Sequence, residues 1–161
     1  MAHSDYVHSP LRSQVLIQVL NPQAKAPAYA TDGSSGFDLL MIQDLTINPG
    51  QKLVVGTGLA FQIPRGLELQ IRPRSGTSLK TDLRLSNSPG TIDSDYRGEV
   101  GLIFELPLTA PGPLKLIKGQ AYAQGVLAPY VRAEFTPVEA LESTQRGAGG
   151  YGSTNSIPSP H

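Results

Sequence analysis

The sequence lacks cysteine, any excess of charge and any long apolar run. Without cysteine, disulfides, zinc–thiolate sites, iron–sulfur clusters and cysteine nucleophiles are excluded. Thirteen Lys and Arg balance thirteen Asp and Glu, which argues against broad electrostatic binding to duplex DNA or an anionic membrane. No apolar run approaches the roughly 20 residues that a membrane helix needs, and no signal-peptide pattern is present. We therefore expect a cytoplasmic protein (or a nuclear one in a eukaryote) with neither nucleic acid nor membrane as a partner.

Glycine and proline are abundant instead, with 17 and 14 residues among 161. This composition favours short strands joined by tight turns, and the length favours a single domain. Alternating or β-branched apolar runs predict strands at residues 14–20, 52–55, 59–63, 67–72, 100–106, 114–117, 122–127 and 130–138. Residues 14–20 are apolar on both faces, so we expect that strand to be covered on both sides. Only residues 75–83 could form a short helix, and the pattern predicts an all-β sandwich or barrel.

The two ends of the chain differ from its middle. Residues 1–13 are polar and hold two of the three histidines, which predicts a flexible leader before a β domain at 14–142. Residues 143–161 are rich in glycine and carry too little apolar surface to offset their ordering entropy. Arg146 and Tyr151 lie among those glycines, an arrangement typical of a mobile segment that closes over a ligand.

Three polar, glycine-containing segments interrupt the strands and could carry chemistry. The first, residues 34–39, places Asp38 just inside a strand. The second, residues 72–78, joins Arg72 and Arg74 to Ser75 and Gly76 where a strand passes into the short helix, and a helix start with an arginine suits phosphate. An ordinary helix cap is the alternative interpretation of that second segment.

A third segment, residues 87–99, reads as a tight hairpin with a Ser94–Asp95 turn. Asp93 follows Ile92 on a strand, so its carboxylate points away from that apolar neighbour and could orient and deprotonate a water. Tyr96 either packs within the hairpin or forms a platform for a sugar or base; this stretch alone leaves both open.

Five short motifs occur in order along the chain: Ser35-Gly36-Phe37-Asp38-Leu39, Pro73-Arg74-Ser75-Gly76, residues 90–99, residues 119–124 and residues 146–154. Together they resemble the homotrimeric dUTPase (deoxyuridine 5′-triphosphate nucleotidohydrolase) family. The resemblance implies an all-β, jelly-roll-like β-clip barrel as a single domain. It also implies a homotrimer with active sites shared between subunits and a flexible C-terminal arm.

The same resemblance implies hydrolysis of dUTP to dUMP and pyrophosphate with Mg²⁺. That reaction limits uracil incorporation into DNA and supplies dUMP for thymidylate synthesis. Asp93 would hold the water that attacks the α-phosphorus, and Tyr96 would lie under the deoxyribose and exclude a 2′-hydroxyl. Asp38 and Gln124 would touch the metal through its waters or position phosphates.

The remaining roles implied by the resemblance concern substrate binding. Asn87 with the backbone of Gly90, Thr91 and Ile92 would read the uracil edge. Arg74, Ser75 and Gly76 would hold phosphates from a neighbouring chain. In the arm, Arg146 would clamp the γ-phosphate and Tyr151 would stack on uracil. The other substrate-binding residues implied are Gln124, Gly150, Gly152 and Ser153.

The sequence departs from the family pattern in several places. Ala121 stands where arginine is usual, Tyr151 replaces phenylalanine, and Asn155 stands where a glycine often ends the last motif. A dCTP deaminase or its bifunctional relative on the same fold is one alternative, which the intact third and fifth motifs disfavour. A binding or regulatory protein on this scaffold is another, disfavoured by Asp93 and Arg146. A β-sandwich without a site is the third.

Overall fold

Eleven short strands and one helix make up the regular structure of residues 12–150, which are the residues that the computed structural model describes. In chain order they are β1 (Leu16–Val19), β2 (Gly36–Leu40), β3 (Leu45–Ile47), β4 (Lys52–Gly56), β5 (Leu59–Gln62), β6 (Leu67–Pro73), α1 (Ser75–Lys80), β7 (Arg84–Leu85), β8 (Gly90–Ile92), β9 (Gly101–Glu105), β10 (Leu114–Leu116) and β11 (Ala121–Pro129). The predicted all-β class is confirmed, as is the single short helix in the 75–83 window.

The strands pair antiparallel in four small sheets. The largest has the order β2-β11-β6-β8, the next has β4-β9-β7, and two further pairs are β1-β5 and β10-β3. Most neighbours in these sheets are distant in sequence, so long-range pairing rather than local hairpins fixes the architecture. Strand β6 is central in the largest sheet, with β11 on one side and β8 on the other.

The core lies between these sheets and follows the alternation in the sequence. Val100, Leu102, Phe104 and Leu106 are each at most 1% exposed, while the residues between them face outward. Burial of each such side chain contributes about 1.5–3 kcal/mol. Along β6, Leu69 and Ile71 are buried in the same way, which leaves Glu68, Gln70 and Arg72 on the opposite face. The predicted alternation of both strands is confirmed.

Strand β1 does not have the predicted cover on both faces. Leu16 and Val19 are each 52% exposed and Ile17 is 37% exposed. Among residues 12–150 the strand pairs only with β5, so the described part of the chain supplies neither a second neighbouring strand nor a layer that covers these side chains. The apolar pattern shows which side chains a strand is able to bury, but the described residues of one chain leave those of β1 exposed.

The predicted strand at residues 130–138 is wrong, because the structure ends β11 at Pro129 and assigns no strand to those residues. Tyr130 makes a last backbone hydrogen bond to Gly66, after which no ladder partner follows within residues 12–150. A strand needs a partner edge as well as an alternating pattern.

The chain divides into two compact units at Val131 and Arg132. The first, which starts with residue 12 in the described part, contains all of the elements above. In the second, residues 132–150 form bends and turns. The leader at 1–13 and the arm at 143–161 stay predictions, and they lie largely outside the described residues. No helix among residues 12–150 is long and apolar enough to cross a membrane.

Candidate functional site

A cavity of about 930 Å³ opens where β6 passes into α1. Its wall includes Asp38 on β2, Gln124 on β11 and Arg72 at the end of β6, together with the Arg74–Thr77 turn and Lys80 of α1. We call it the cation cavity, because Arg72, Arg74 and Lys80 face one carboxylate there, that of Asp38. Three cations around a polar hollow favour a multiply charged anion as its ligand.

The strand register explains why three of these side chains meet. Gln124 on β11 lies opposite Asp38 on β2 and opposite Arg72 on β6, and directly opposed residues share one face of a sheet. Gln124 Nε2 donates to the carbonyl oxygen of Pro73 at 2.9 Å. A Cβ atom at Gly36 would lie 2.4 Å from Gln124 Oε1, so the first motif needs glycine there for the amide to fit.

Arg74 already has partners within the chain. Its Nε atom lies 2.9 Å from Asp38 Oδ1, and its Nη1 atom donates to the carbonyl oxygen of Ala121 at 2.9 Å. The register of β11 shifts between Ala121 and Ala123, at the point where that carbonyl meets the guanidinium. The structure thus joins Asp38, Arg74 and Gln124 at one site, as the sequence predicts, and it gives Asp38 an arginine as its partner.

Residues 87–99 form the second candidate region. Strand β8 pairs with β6, with Gly90 opposite Ile71 and Ile92 opposite Leu69. The backbone N–H of Tyr96 donates to the carbonyl oxygen of Asp93 at 3.1 Å, which confirms the predicted Ser94–Asp95 turn. We call this segment the Asp93–Tyr96 turn; its residues precede β9 and do not form a hairpin with it, because β9 pairs with β4 and β7.

The Tyr96 ring is held by contacts with Gly98 and Glu99 and remains partly open to solvent. Its hydroxyl donates to the carbonyl oxygen of Glu99 at 3.1 Å, and the side chain is 45% exposed. A Cβ atom at Gly98 would lie 2.3 Å from the Tyr96 hydroxyl oxygen and 2.6 Å from Cζ. The ring therefore packs on Gly98, where any side chain would displace it. A fixed ring with an exposed part supports the platform interpretation of Tyr96.

Glu99 fastens this region to the turn between β4 and β5. Its Oε1 atom accepts a hydrogen bond from the Gly58 backbone N–H at 2.7 Å. A Cβ atom built on Gly56 would lie only 2.3 Å from that same oxygen, so the carboxylate packs against this glycine. The sequence motifs had not assigned a role to Glu99. Its position next to a buried strand, with two glycines in the turn between β4 and β5, was the pattern that could have indicated this contact. The sequence singled out Arg72 only as one of two arginines in residues 72–78, without a role of its own, and Lys80 of the cation cavity was missed.

A single chain keeps the two regions apart. Asp93 follows Ile92, which lies opposite Leu69, whereas Arg74 follows the other end of β6. At the rise of an extended strand, the stretch from Leu69 to Arg74 spans about 17 Å. None of residues 87–99 lines the cation cavity. One chain does not bring the predicted base and the predicted phosphate-binding residues together.

In the second unit, local hydrogen bonds hold Arg146. Its Nε atom donates to the carbonyl oxygen of Gly149 at 2.8 Å, and the Gly149 N–H donates back to the carbonyl of Arg146 at 3.1 Å. Gly147 has a φ of +51°, a conformation that favours glycine. Gly150 is the last described residue, and Tyr151, Gly152 and Ser153 lie outside the described residues.

The described chain does not build a metal cage by itself. Within residues 12–150, no group of three or more His, Asp or Glu side chains could hold a metal ion. Asp38 and Gln124 are directly opposed on neighbouring strands, and both line the cavity. Such a pair suits a hydrated Mg²⁺ ion that keeps several waters and takes its other ligands from bound phosphates.

Loss of the Glu99 carboxylate is expected to destabilise the fold. In Glu99→Ala the Gly58 N–H loses its acceptor, which should lower the free energy of unfolding by about 1 kcal/mol, measured by urea denaturation. Glu99→Gln keeps an acceptor oxygen and should lose less. Asp95→Ala, in the exposed turn nearby, is the matched control. Equal stability of Glu99→Ala and the unaltered chain would contradict the role of Glu99 as an anchor.

The sequence matches the dUTPase family over most of its length. The family model for dUTPase matches residues 22–155. The deoxyuridine 5′-triphosphate nucleotidohydrolase of Nautilia profundicola is 49% identical over 138 residues, which cover 86% of this chain and 96% of the relative.

Solved structures agree with the sequence matches. The dUTPase of Staphylococcus bacteriophage 80alpha, described with dUPNHPP, is 26% identical with a TM-score of 0.81, covering 88% of this chain and 98% of the phage chain. The dUTPase of phage phi11 of S. aureus, described with a structural Mg(II) ion, is 24% identical with a TM-score of 0.75 and covers 81% of this chain and all of the phage chain. The jelly-roll-like fold implied by the motifs is thereby confirmed. The chain belongs to the dUTPase family, the dUTP diphosphatases, and is therefore a hydrolase.

Proposed function

We propose that this chain hydrolyses dUTP to dUMP and pyrophosphate by attack of a water on the α-phosphorus, with Asp93 as the general base and Mg²⁺ as the cofactor. The observation that carries the proposal is the Asp93–Tyr96 turn. Its backbone hydrogen bond fixes the main chain at Asp93, whose side chain is exposed, and packing on Gly98 fixes the exposed ring of Tyr96. A base must be held in position before it can orient a water for in-line attack.

Asp93 needs no covalent step to act. Its carboxylate would accept a proton from the water as the oxygen attacks phosphorus, and pyrophosphate would leave on the opposite side. The protein contributes position and charge stabilisation to such a transfer. The side chain of Asp93 is exposed, so a water can reach it before the substrate covers the site.

Tyr96 and β8 would select the nucleoside. The Tyr96 ring, fixed against Gly98, would lie under the deoxyribose and leave no space for a 2′-hydroxyl. The backbone of Gly90, Thr91 and Ile92, with the Asn87 side chain, would face the uracil edge. Gly90 supports this role because a Cβ atom there would lie 3.1 Å from Asn87 Nδ2, so its backbone and the amide are in close contact. Cytosine would leave donors and acceptors unpaired at about 1–3 kcal/mol each.

The separation of the two regions favours active sites shared between chains. Asp93 lies beside the amino-terminal part of β6, next to the Ile92–Leu69 pair, and Arg74 follows the carboxyl end of that strand. One dUTP molecule therefore needs the Asp93 region of one chain and the Arg74-Ser75-Gly76 region of another. The exposed apolar residues of β1 also favour assembly, because association would remove them from water. We therefore infer a homotrimer, the assembly that the motifs imply.

Mg²⁺ would be held mainly by the substrate, with Asp38 and Gln124 touching its waters. The ion supplies charge neutralisation at the phosphates when it is bound. Asp38 is paired with Arg74 in the structure, so this pair would place a carboxylate and a guanidinium together beside the phosphates. The arm would then close the site, with Arg146 on the γ-phosphate, Tyr151 on uracil and Gly150, Gly152 and Ser153 along the nucleotide.

In the cell, such a reaction would remove dUTP before polymerases use it and would supply dUMP for thymidylate synthesis. A cytoplasmic location fits that role. The substrate is a free nucleotide, so neither nucleic acid nor a membrane is needed as a partner.

Pyrophosphate release from dUTP, dCTP, dTTP and UTP, measured in parallel with Mg²⁺ and with excess chelator, tests the substrate and the metal. We expect rapid release from dUTP alone, and its loss in chelator. Ammonia release from dCTP is followed in the same samples. Ammonia without pyrophosphate would assign the chain to deamination and overturn the proposal.

Asp93→Asn should lower kcat by about 10²–10⁴-fold, because the variant loses the general base and little else. The KM or Kd for dUTP should change by less than about threefold, since the amide keeps the shape of the side chain. Near-normal kcat in this variant would place the base elsewhere.

The same variant tests the shared site. Asp93→Asn and Arg74→Gln chains, each impaired alone, are unfolded together and refolded as a mixture. Mixed assemblies contain some sites with both native residues, so activity should rise above that of either variant. Activity that stays at the mean of the separate variants would contradict sites formed between chains.

Truncation after Thr144 tests the arm. We expect unchanged thermal unfolding and circular dichroism, because residues 12–131 contain all the described strands. Because the site can no longer close, kcat should fall at least about a hundredfold. A truncated chain with full kcat would remove Arg146 and Tyr151 from the mechanism.

A further inference from the structure

The cation cavity contains more positive charge than the roles above use. Of its three cations, Arg74 is neutralised by Asp38 at 2.9 Å. Arg72 and Lys80 also line the cavity, and neither takes part in an ion pair within the described residues. Two charges that residues 12–150 do not neutralise are therefore left at the proposed phosphate-binding end.

Arg72 differs from Lys80 because its side chain is held in place. Its Nε atom donates to Gln70 Oε1 at 3.0 Å, and Nη2 donates to the same oxygen. Gln70 Nε2 in turn donates to Glu68 Oε1 at 2.6 Å. This row occupies every second residue of β6, on the face opposite the core. A guanidinium has five N–H donors, so three remain for a ligand after the two bonds to Gln70.

The position of Arg72 on the sheet also aligns it with the other proposed phosphate ligands. It lies opposite Gln124, which lies opposite Asp38 on the next strand, and all three line the cavity. Arg72 follows Ile71, which is 3% exposed, so the buried neighbour fixes the face on which Arg72 lies. The result is a row of carboxylate, amide and guanidinium across three strands.

We propose that Arg72 is a further substrate-binding residue, whose guanidinium contacts the phosphates beyond the α-phosphate of the nucleotide. This inference rests on the proposed function. The α-phosphorus must lie near Asp93, and residues 87–99 do not line the cation cavity. The cavity therefore serves the phosphates that leave as pyrophosphate, where a held guanidinium can form two charge-assisted hydrogen bonds.

Ala121 provides a way to test this assignment by substitution. It lines the same cavity with only a methyl group, and its carbonyl oxygen accepts from Arg74. In a chain that lacks the Arg72 guanidinium, an arginine placed at position 121 would restore a second guanidinium beside Arg74 without disturbing that backbone contact. Arg72 and an arginine at 121 should therefore be interchangeable in function, at least in part.

The experiment compares Arg72→Gln with Arg65→Gln, which removes the same charge at the turn before β6 and away from the cavity. In Arg72→Gln we expect the KM for dUTP to rise about tenfold with kcat changed less than about twofold, the pattern of a lost binding contact. The inhibition constant of dUDP should rise more than that of dUMP. The double variant R72Q/A121R should recover most of the lost affinity, and Arg65→Gln should behave as the unaltered chain.

Each outcome decides the question. If the unaltered chain hydrolyses dUTP and Arg72→Gln matches Arg65→Gln, the assignment of Arg72 is wrong while the proposed function stands. A change in oligomeric state by light scattering without a change in KM would assign Arg72 to a contact between chains, and also overturns the proposal. If the unaltered chain does not hydrolyse dUTP, both fall. Should Arg72→Gln fail to fold, Arg72→Met, which keeps the aliphatic stem, replaces it.

Discussion

The pairing of β6 with β11 on one side and with β8 on the other organises the rest of the molecule. The β11 register sets Gln124 against Asp38 and Arg72, and the β8 register sets Gly90 and Ile92 against Ile71 and Leu69. One central strand therefore has the cation cavity at its carboxyl end and the Asp93–Tyr96 turn beside its amino end. A slip of one residue would move Arg72 into the core and Ile71 into solvent, so the hydrophobic pattern fixes both regions at once.

The two regions are stabilised by different means. The cation cavity depends on charge, since Asp38 holds Arg74 and Gln70 holds Arg72. The Asp93–Tyr96 turn depends instead on close packing and on a single carboxylate. The Tyr96 ring packs on Gly98, and the Glu99 carboxylate accepts a hydrogen bond from the Gly58 N–H. This difference suits their proposed tasks. A phosphate chain can be bound by charged groups that hydrogen bonds hold in place, whereas selection of a sugar by exclusion needs a surface that does not yield.

The sequence was informative where short-range pattern and long-range packing agree. The alternation of Leu69 and Ile71 with polar neighbours predicted β6 correctly, and the Ser94–Asp95 turn followed from its residue types. The interpretation of β1 failed because cover depends on layers that residues 12–150 of one chain do not supply, and the strand at 130–138 failed for want of a partner edge. Glu99 was missed, and Arg72 received no role of its own, because each acquires its meaning from residues far along the chain or across a sheet. The roles of Asp93, Tyr96 and Arg146 stay predictions, carried by motifs and compatible geometry.

Two glycines beside the candidate site restrict which substitutions the chain can accept. At positions 36 and 98 an added methyl group would meet Gln124 Oε1 and the Tyr96 hydroxyl at 2.4 and 2.3 Å. Even alanine, the smallest replacement, would require a proposed ligand-binding side chain to shift, although both glycines lie outside the hydrophobic core. Natural variation should therefore be restricted at both positions, and more tightly at 98, where the neighbour is an aromatic ring, than at 36, where it is the end of a flexible amide side chain.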